Sequence, residues 1–141
     1  MFALFKKEIQ KASFEDVQYS IKFPDNFLLI NTLTFGEQDC LIKNTLSCHE
    51  EENILNELIK LYRFKDKYII IYGKNTNDET VIKKYNQIKT LGFQHVFCYH
   101  GGMFEWLLLQ DIYGKDEFKT TSNILDILKY KPINRFSRAL F

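Results

Sequence analysis

Tyr68-Ile69-Ile70-Ile71-Tyr72-Gly73-Lys74-Asn75-Thr76-Asn77-Asp78 is the stretch that decides the architecture of this chain. Its first five residues are β-branched or aromatic with no polar alternation, the pattern of a strand buried on both faces. The next six are polar or turn-forming. From Glu79 to Leu91, Val81, Ile82, Tyr85, Ile88 and Leu91 recur at helical spacing, and Gly92 stops the run. Strand, loop and amphipathic helix in that order make a β-loop-α unit.

The same alternation continues on both sides. Downstream, Val96-Phe97-Cys98-Tyr99 reads as another strand, and Gly101-Gly102 turns the chain into a short helix carrying Trp106, Leu107, Leu108 and Leu109. Upstream, Phe27-Leu28-Leu29-Ile30-Asn31-Thr32-Leu33 is a nearly continuous apolar run, a further buried strand. Leu41-Ile42 and Thr45-Leu46 read as short extended pieces. Ser47-Cys48-His49-Glu50 offers a capping box to a helix with apolar positions from Ile54 to Leu61. Ser13-Phe14-Glu15-Asp16 has the form of a helix N-terminus, and Pro24 closes the helix that follows over 14–21. Residues 2–11 present Phe2, Phe5 and Ile9 at the spacing of a short amphipathic helix, and 123–128 reads as the last helix before a basic tail. The expected class is α/β, a central, mostly parallel sheet with helices on both faces. We expect an extension at 1–12, one domain over 13–115, and a C-terminal helix and basic tail, 116–141, packing on that domain. Ligands of such sheets sit at the carboxyl ends of the strands, which directs attention to the loop at 73–78.

Composition limits the function classes. The 19 Lys+Arg balance 18 Asp+Glu, so no global field steers the protein to nucleic acid or an anionic membrane. The basic stretch Lys60, Arg63, Lys65 and Lys67 is read as a solvated helix end that complements the dipole. No apolar run is long enough to span a bilayer, and Lys6-Lys7 arrives too soon for a signal-peptide apolar region. Three cysteines without a CxxC pair argue against a disulfide framework or zinc knuckle, and imply a reducing compartment such as the cytoplasm. His49 before Glu50-Glu51-Glu52 lacks the second histidine of a zinc-protease helix, so no metal or cofactor is expected. Lysine outnumbers arginine 16 to 3 and alanine occurs three times, a bias of AT-rich genomes such as those of some large DNA viruses or parasites.

In order along the chain, Leu29-Ile30-Asn31-Thr32, Leu41 to Leu46, Ile69-Ile70-Ile71-Tyr72-Gly73, Leu91-Gly92-Phe93 with Val96-Phe97, and Gly101-Gly102-Met103-Phe104-Glu105-Trp106 resemble the stations of a rhodanese-like domain. The Gly-Gly-x-x-x-Trp station is weak by itself and takes its weight from its position after a strand, downstream of Leu-Gly-Phe and a strand–loop–helix unit, and the resemblance covers roughly residues 13–115. It implies a sulfurtransferase scaffold in which a cysteine follows the central strand. That thiolate attacks the sulfur donor while loop N–H groups and a basic side chain stabilise the charge. Here Gly73 stands at the nucleophile position, Asn31 stands where the family usually has Asp, and the loop ends on Asp78 and Glu79. Thr76-x-x-Glu79 reads as a capping box that satisfies the free N–H groups of the next helix internally. The segment from Gly73 to Gly92 is slightly longer than in ordinary single-domain rhodaneses, as in the phosphatase-type relatives.

The resemblance therefore implies an inactive member acting as a binding or interaction module. Its candidate site is the degenerate loop Gly73, Lys74, Asn75, Thr76, Asn77 and Asp78, with Asn31, Cys98, His100, Gly101 and Gly102 as neighbours. The partner would be a protein or small ligand met by the loop amides of Asn75 and Asn77. Two alternatives stand beside it. One is a divergent sulfurtransferase or phosphatase-like enzyme using Cys98, which lies two residues before His100. The other is a structural or assembly component, including a viral one, whose aromatic-rich ends make the contacts.

Overall fold

The computed structural model describes residues 8–136. Three strands, β1 (Phe27–Asn31), β2 (Tyr68–Tyr72) and β3 (Val96–Tyr99), form a parallel sheet in the order β1-β2-β3. Phe27 pairs with Tyr68 and Asn31 with Tyr72, while Ile69 pairs with Val96 and Tyr72 with Tyr99. Single bridges extend each edge, Leu29 to Thr45 outside β1 and Lys11 to Cys98 outside β3. Helices α1 (Phe14–Lys22), α2 (Cys48–Lys60), α3 (Glu79–Thr90) and α4 (Gly102–Tyr113) fill the connections.

Strand periodicity divides the core in two. Leu29, Ile70, Tyr72 and Tyr99 point to one side, where they meet Val17 of α1 and Met103, Trp106 and Leu107 of α4. Leu28, Ile30, Ile69, Ile71, Val96 and Cys98 point to the other, against Leu55 and Leu58 of α2 and Val81, Tyr85 and Ile88 of α3. The three isoleucines of β2 are at most 2% exposed, and full burial of each contributes about 1.5–3 kcal/mol. That explains why this run carries no polar residue. The helix starts are equally local: Ser13 and Asp16 cap α1 reciprocally, as Ser47 and Glu50 cap α2.

Four expectations need correction. No helix covers the described part of 2–11; residues 1–7 lie outside the described chain. Instead the Cys98 N–H donates to Gln10 O and the Ala12 N–H to Cys98 O, both at 2.9 Å, because the outer edge of β3 offers backbone partners that local helical spacing does not register. The last helix expected at 123–128 is a single 3₁₀ turn at Ile127–Tyr130, and Leu125 is fully exposed. The strand expected to reach Leu33 ends at Asn31, whose side chain accepts the Leu33 N–H at 3.0 Å. Finally, α3 is capped by Asp78, not by a Thr76–Glu79 box: the Asp78 carboxylate accepts from Thr80 N at 3.0 Å.

Candidate functional site

The buried central strand delivers Gly73 to the carboxyl end of the sheet, where Thr32 follows β1 and donates its N–H to Tyr72 O at 3.0 Å. Gly73 is enclosed. A Cβ on it would lie 2.4 Å from Asp78 Oδ2, 2.6 Å from Val81 Cγ2 and 2.8 Å from Thr32 Oγ1. Carbon atoms do not approach that closely, so a side chain here requires the loop or α3 to move. Thr32 and Asp78 are in turn tied together through the Thr80 hydroxyl, which reaches both.

The polar groups of the loop are largely turned inward. One oxygen of Asp78 accepts the Lys74 N–H at 2.8 Å while the other caps α3. The Asn77 N–H donates to Asn75 Oδ1 at 2.9 Å, and the Asp78 N–H to Asn75 O at 3.2 Å. The two helices that point their N-termini at the loop are also engaged. Asp78 serves α3, and at α4 the Met103 and Phe104 N–H groups donate to Gly73 O and Lys74 O at 2.9 and 3.0 Å. A helix N-terminus is an anion site when its amides are free. Here a carboxylate and two carbonyls of the chain itself hold that role.

Gly102 makes the second contact possible. Its φ is +64°, and a Cβ would meet Gly73 O at 2.7 Å and Asn75 N at 3.0 Å. Glycine is the residue that tolerates both the left-handed backbone and the approach. Gly101 has an ordinary φ, and what lies over it is the Glu105 side chain. Trp106, four residues into the helix, is fully buried with its indole N–H on Lys119 O at 3.1 Å.

The remaining candidates divide. Gly73, Lys74, Asn75, Asp78 and Gly102 come together at one place. Asn31 is committed elsewhere: its amide oxygen accepts from Leu33 N and from Gln38 Nε2 at 2.7 Å, so it holds the 33–38 turn. Cys98 is wholly buried with the α2/α3 layer, and burial pushes its thiol up to about 12. His100 is half-buried, and burial with nearby Lys11 lowers its pKa. Asn75 does not present its amide to solvent as expected. It is 9% exposed, and its Nδ2 donates to Tyr130 O at 3.0 Å. Thr76 and Asn77 are the exposed residues of the loop.

Three roles escaped the sequence reading. Asp78 fills the loop from within. Tyr130 reaches it from the C-terminal segment. Glu37, beside the loop, forms a 3.1 Å ion pair with Lys74. Burial acts against the Glu37 carboxylate, but the Thr34 hydroxyl and Lys74 outweigh it and hold the group below its ordinary value. Thr34-x-x-Glu37 was readable as a local cap, and Asp78 stands where a helix cap is readable, though not its bond to Lys74 N; nothing local signals Tyr130. Among the described residues no group of His, Cys, Asp and Glu could hold a metal ion, and no helix is long and apolar enough to cross a membrane.

A three-strand parallel sheet covered on both faces, with a strand-loop-helix site closed by a Gly-Gly turn, is the form of a rhodanese domain. The chain belongs to the rhodanese-like domain family, whose model matches residues 8–109. Among solved structures, the BH2092 protein of Bacillus halodurans is 18% identical, with a TM-score of 0.62 over 94% of this chain and 90% of that one. A yeast protein tyrosine phosphatase of the rhodanese family is 13% identical, with a TM-score of 0.57 over 84% and 96%. The single-domain sulfurtransferase RDL2 of Saccharomyces cerevisiae is 20% identical, with a TM-score of 0.52 over 77% and 96%. At these identities the likeness is one of fold. No curated protein matches the chain.

Proposed function

We propose that this rhodanese-like protein does not transfer sulfur and serves as a binding module through the mouth of its 73–78 loop. One observation carries the reading. The position after the central strand, where a sulfurtransferase of this family holds its cysteine, is a glycine, and Asp78, Val81 and Thr32 occupy the space a side chain would need. Glycine has no nucleophile. The Asp78 carboxylate also takes loop amides that would otherwise meet an anionic substrate. What the loop offers outward is Thr76 and Asn77, a small polar surface suited to a protein partner or small ligand rather than to chemistry on a bound anion.

The enzyme alternative has less support. Catalysis by Cys98 needs a thiolate, and a fully buried thiol pushed up to about 12 is protonated at neutral pH. The structural or assembly alternative draws on exposed Phe35, Tyr62, Ile112 and Phe136, scattered over several elements. Three free cysteines accord with a reducing compartment such as the cytoplasm.

The test is incubation with thiosulfate or mercaptopyruvate followed by peptide mass spectrometry for added sulfur on Cys40, Cys48 and Cys98. The expected result is no adduct. A persulfide on Cys98 would overturn the reading and restore a relocated nucleophile. Partner capture with a loop-replaced control then tests the binding role: a partner retained after replacement of 73–78 excludes this mouth.

A further inference from the structure

Strand β1 lies at the edge of the three-strand sheet, and only part of its outer side is covered. Ladder parity sets the directions of its backbone groups. The Tyr68 N–H donates to Asn26 O and the Thr32 N–H to Tyr72 O, so the even-numbered positions of this strand face β2. Phe27 and Leu29 therefore face outward. Leu29 is partnered: its carbonyl accepts the Leu46 N–H at 2.9 Å, next to its bridge with Thr45. The Phe27 N–H and carbonyl have no backbone partner among the described residues. The chain that would cover them is drawn away, with the Lys43 N–H on Lys119 O and the Thr121 N–H on Leu41 O. It reaches the sheet only beyond Asn44, which turns it with a φ of +71°.

A cavity of about 490 Å³ opens at this gap. It wraps the bare edge from Ser20 of α1 on one face to Ile54 of α2 on the other, over Phe27 and Leu29. Pro24 and Asp25 stand at one end of it, Asn44 and Thr45 at the other. A further strand would lie about 4.8 Å from β1, and the cavity is where that strand would run. Half-buried Leu46 and Ile54 give it an apolar wall. Its rim is acidic on balance. Asp25 and Glu50 are exposed there and form no ion pair among the described residues. The one cation lining it, Lys67, donates to the Asp25 carbonyl. An uncovered edge strand is a template for pairing with another chain.

We propose that this slot receives an extended segment of a partner protein, which adds to the sheet as a strand beside β1. Its main chain donates to the Phe27 carbonyl and accepts the Phe27 N–H, the pairing that strand addition uses for affinity. An aliphatic side chain on one face of the segment packs on Leu46 and Ile54. Basic residues on the segment answer the Asp25 and Glu50 carboxylates. The slot shares no lining residue with the 73–78 loop, so the proposal stands apart from the role assigned to that mouth and does not rest on it.

The probe is a fluorescein-labelled peptide, Lys-Thr-Val-Lys-Val-Thr-Lys, titrated by anisotropy against the full-length protein at low salt. Two N-methylated forms, one at both valines and one at both threonines and the central lysine, remove donors from opposite edges of the added strand. One form is expected to bind about tenfold more weakly than the parent, the loss of one hydrogen bond, while the other binds as the parent does. The counterpart with glutamate at each lysine is expected to bind about fivefold more weakly, and Asp25→Lys, an exposed change, to abolish that preference. At saturating peptide the Phe27 amide is expected to exchange about tenfold more slowly by nuclear magnetic resonance. No binding at millimolar peptide, equal effects of the two methylations, equal affinity for the acidic peptide, or binding that leaves Phe27 exchange unchanged overturns the proposal. Dimerisation that protects Phe27 without peptide also overturns it, since a second copy would then fill the slot.

Discussion

Restoring the family's cysteine should damage this protein rather than repair it. In Gly73→Cys the new Cβ falls 2.4 Å from Asp78 Oδ2, 2.6 Å from Val81 Cγ2 and 2.8 Å from Thr32 Oγ1. Val81 is a buried, β-branched helix residue with little rotamer freedom, so α3 must shift or Asp78 must swing away. Overpacking of this kind costs about 1–3 kcal/mol. Displacing Asp78 breaks the α3 cap and the bond to Lys74 N, which adds about 1 kcal/mol. The variant should lose about 3 kcal/mol, a fall in Tm on the order of 10 °C. Urea unfolding followed by circular dichroism, with an unchanged slope, measures it. Asp78→Ala supplies the control through a double-mutant cycle: alone it destabilises by loss of the cap, but combined with Gly73→Cys it relieves the nearest contact. The two changes should therefore couple by about 1 kcal/mol or more. Strict additivity, or a Gly73→Cys protein within about 0.5 kcal/mol of wild type, would refute a closed loop.

Gly102→Ala should destabilise by about 2–3 kcal/mol in thermal unfolding, because its positive φ and the 2.7 Å approach to Gly73 O act together. At Gly101 the φ is ordinary, but an added Cβ would also lie 2.8 Å from the Glu105 Cβ, which no rotamer change moves, so Gly101→Ala should destabilise by overpacking alone, about 1–3 kcal/mol. Native alkylation with iodoacetamide at mildly alkaline pH should label exposed Cys48 and spare buried Cys40 and Cys98, read by peptide mass spectrometry. The Glu37 carboxyl is held below its ordinary value near 4.5, so its contribution is complete above that pH and is lost as pH falls through the lower folded value. Wild type should accordingly exceed Glu37→Gln in Tm at neutral pH, and the difference should vanish in acid.

Strand β2 was legible to the residue because a strand buried on both faces must be apolar throughout, and Lys67 and Gly73 bound it. Strand β3 and the 73–78 loop were equally plain. What failed was decided by distant partners. The helical spacing of Phe2, Phe5 and Ile9 says nothing of the open edge of β3, which takes Gln10 and Ala12 into backbone pairing. Ile124, Leu125 and Leu128 have helical spacing, but the ring that is fully buried belongs to Tyr130. At the site, the glycine that follows the central strand could be read from one position. The filling of its place could not, because Thr76 and Asp78 are both plausible caps and the choice falls to the one whose carboxylate also reaches Lys74 N. Asn75 looked like an outward amide because its partner lies 55 residues away.

The loop joins residues 32, 73–81, 102–104 and 130 at a single point, and this has a consequence for how the molecule comes into being. Contacts of such wide sequence separation form late, after loop-closure entropy has been overcome by the sheet and its helices. During synthesis the N-terminal half emerges first, so the central strand and its glycine exist for a time with neither α4 nor Tyr130 to cover them. The mouth is therefore complete only when α4 and Tyr130 are both in place, and a chain halted before Tyr130 would lack the carbonyl that holds Asn75.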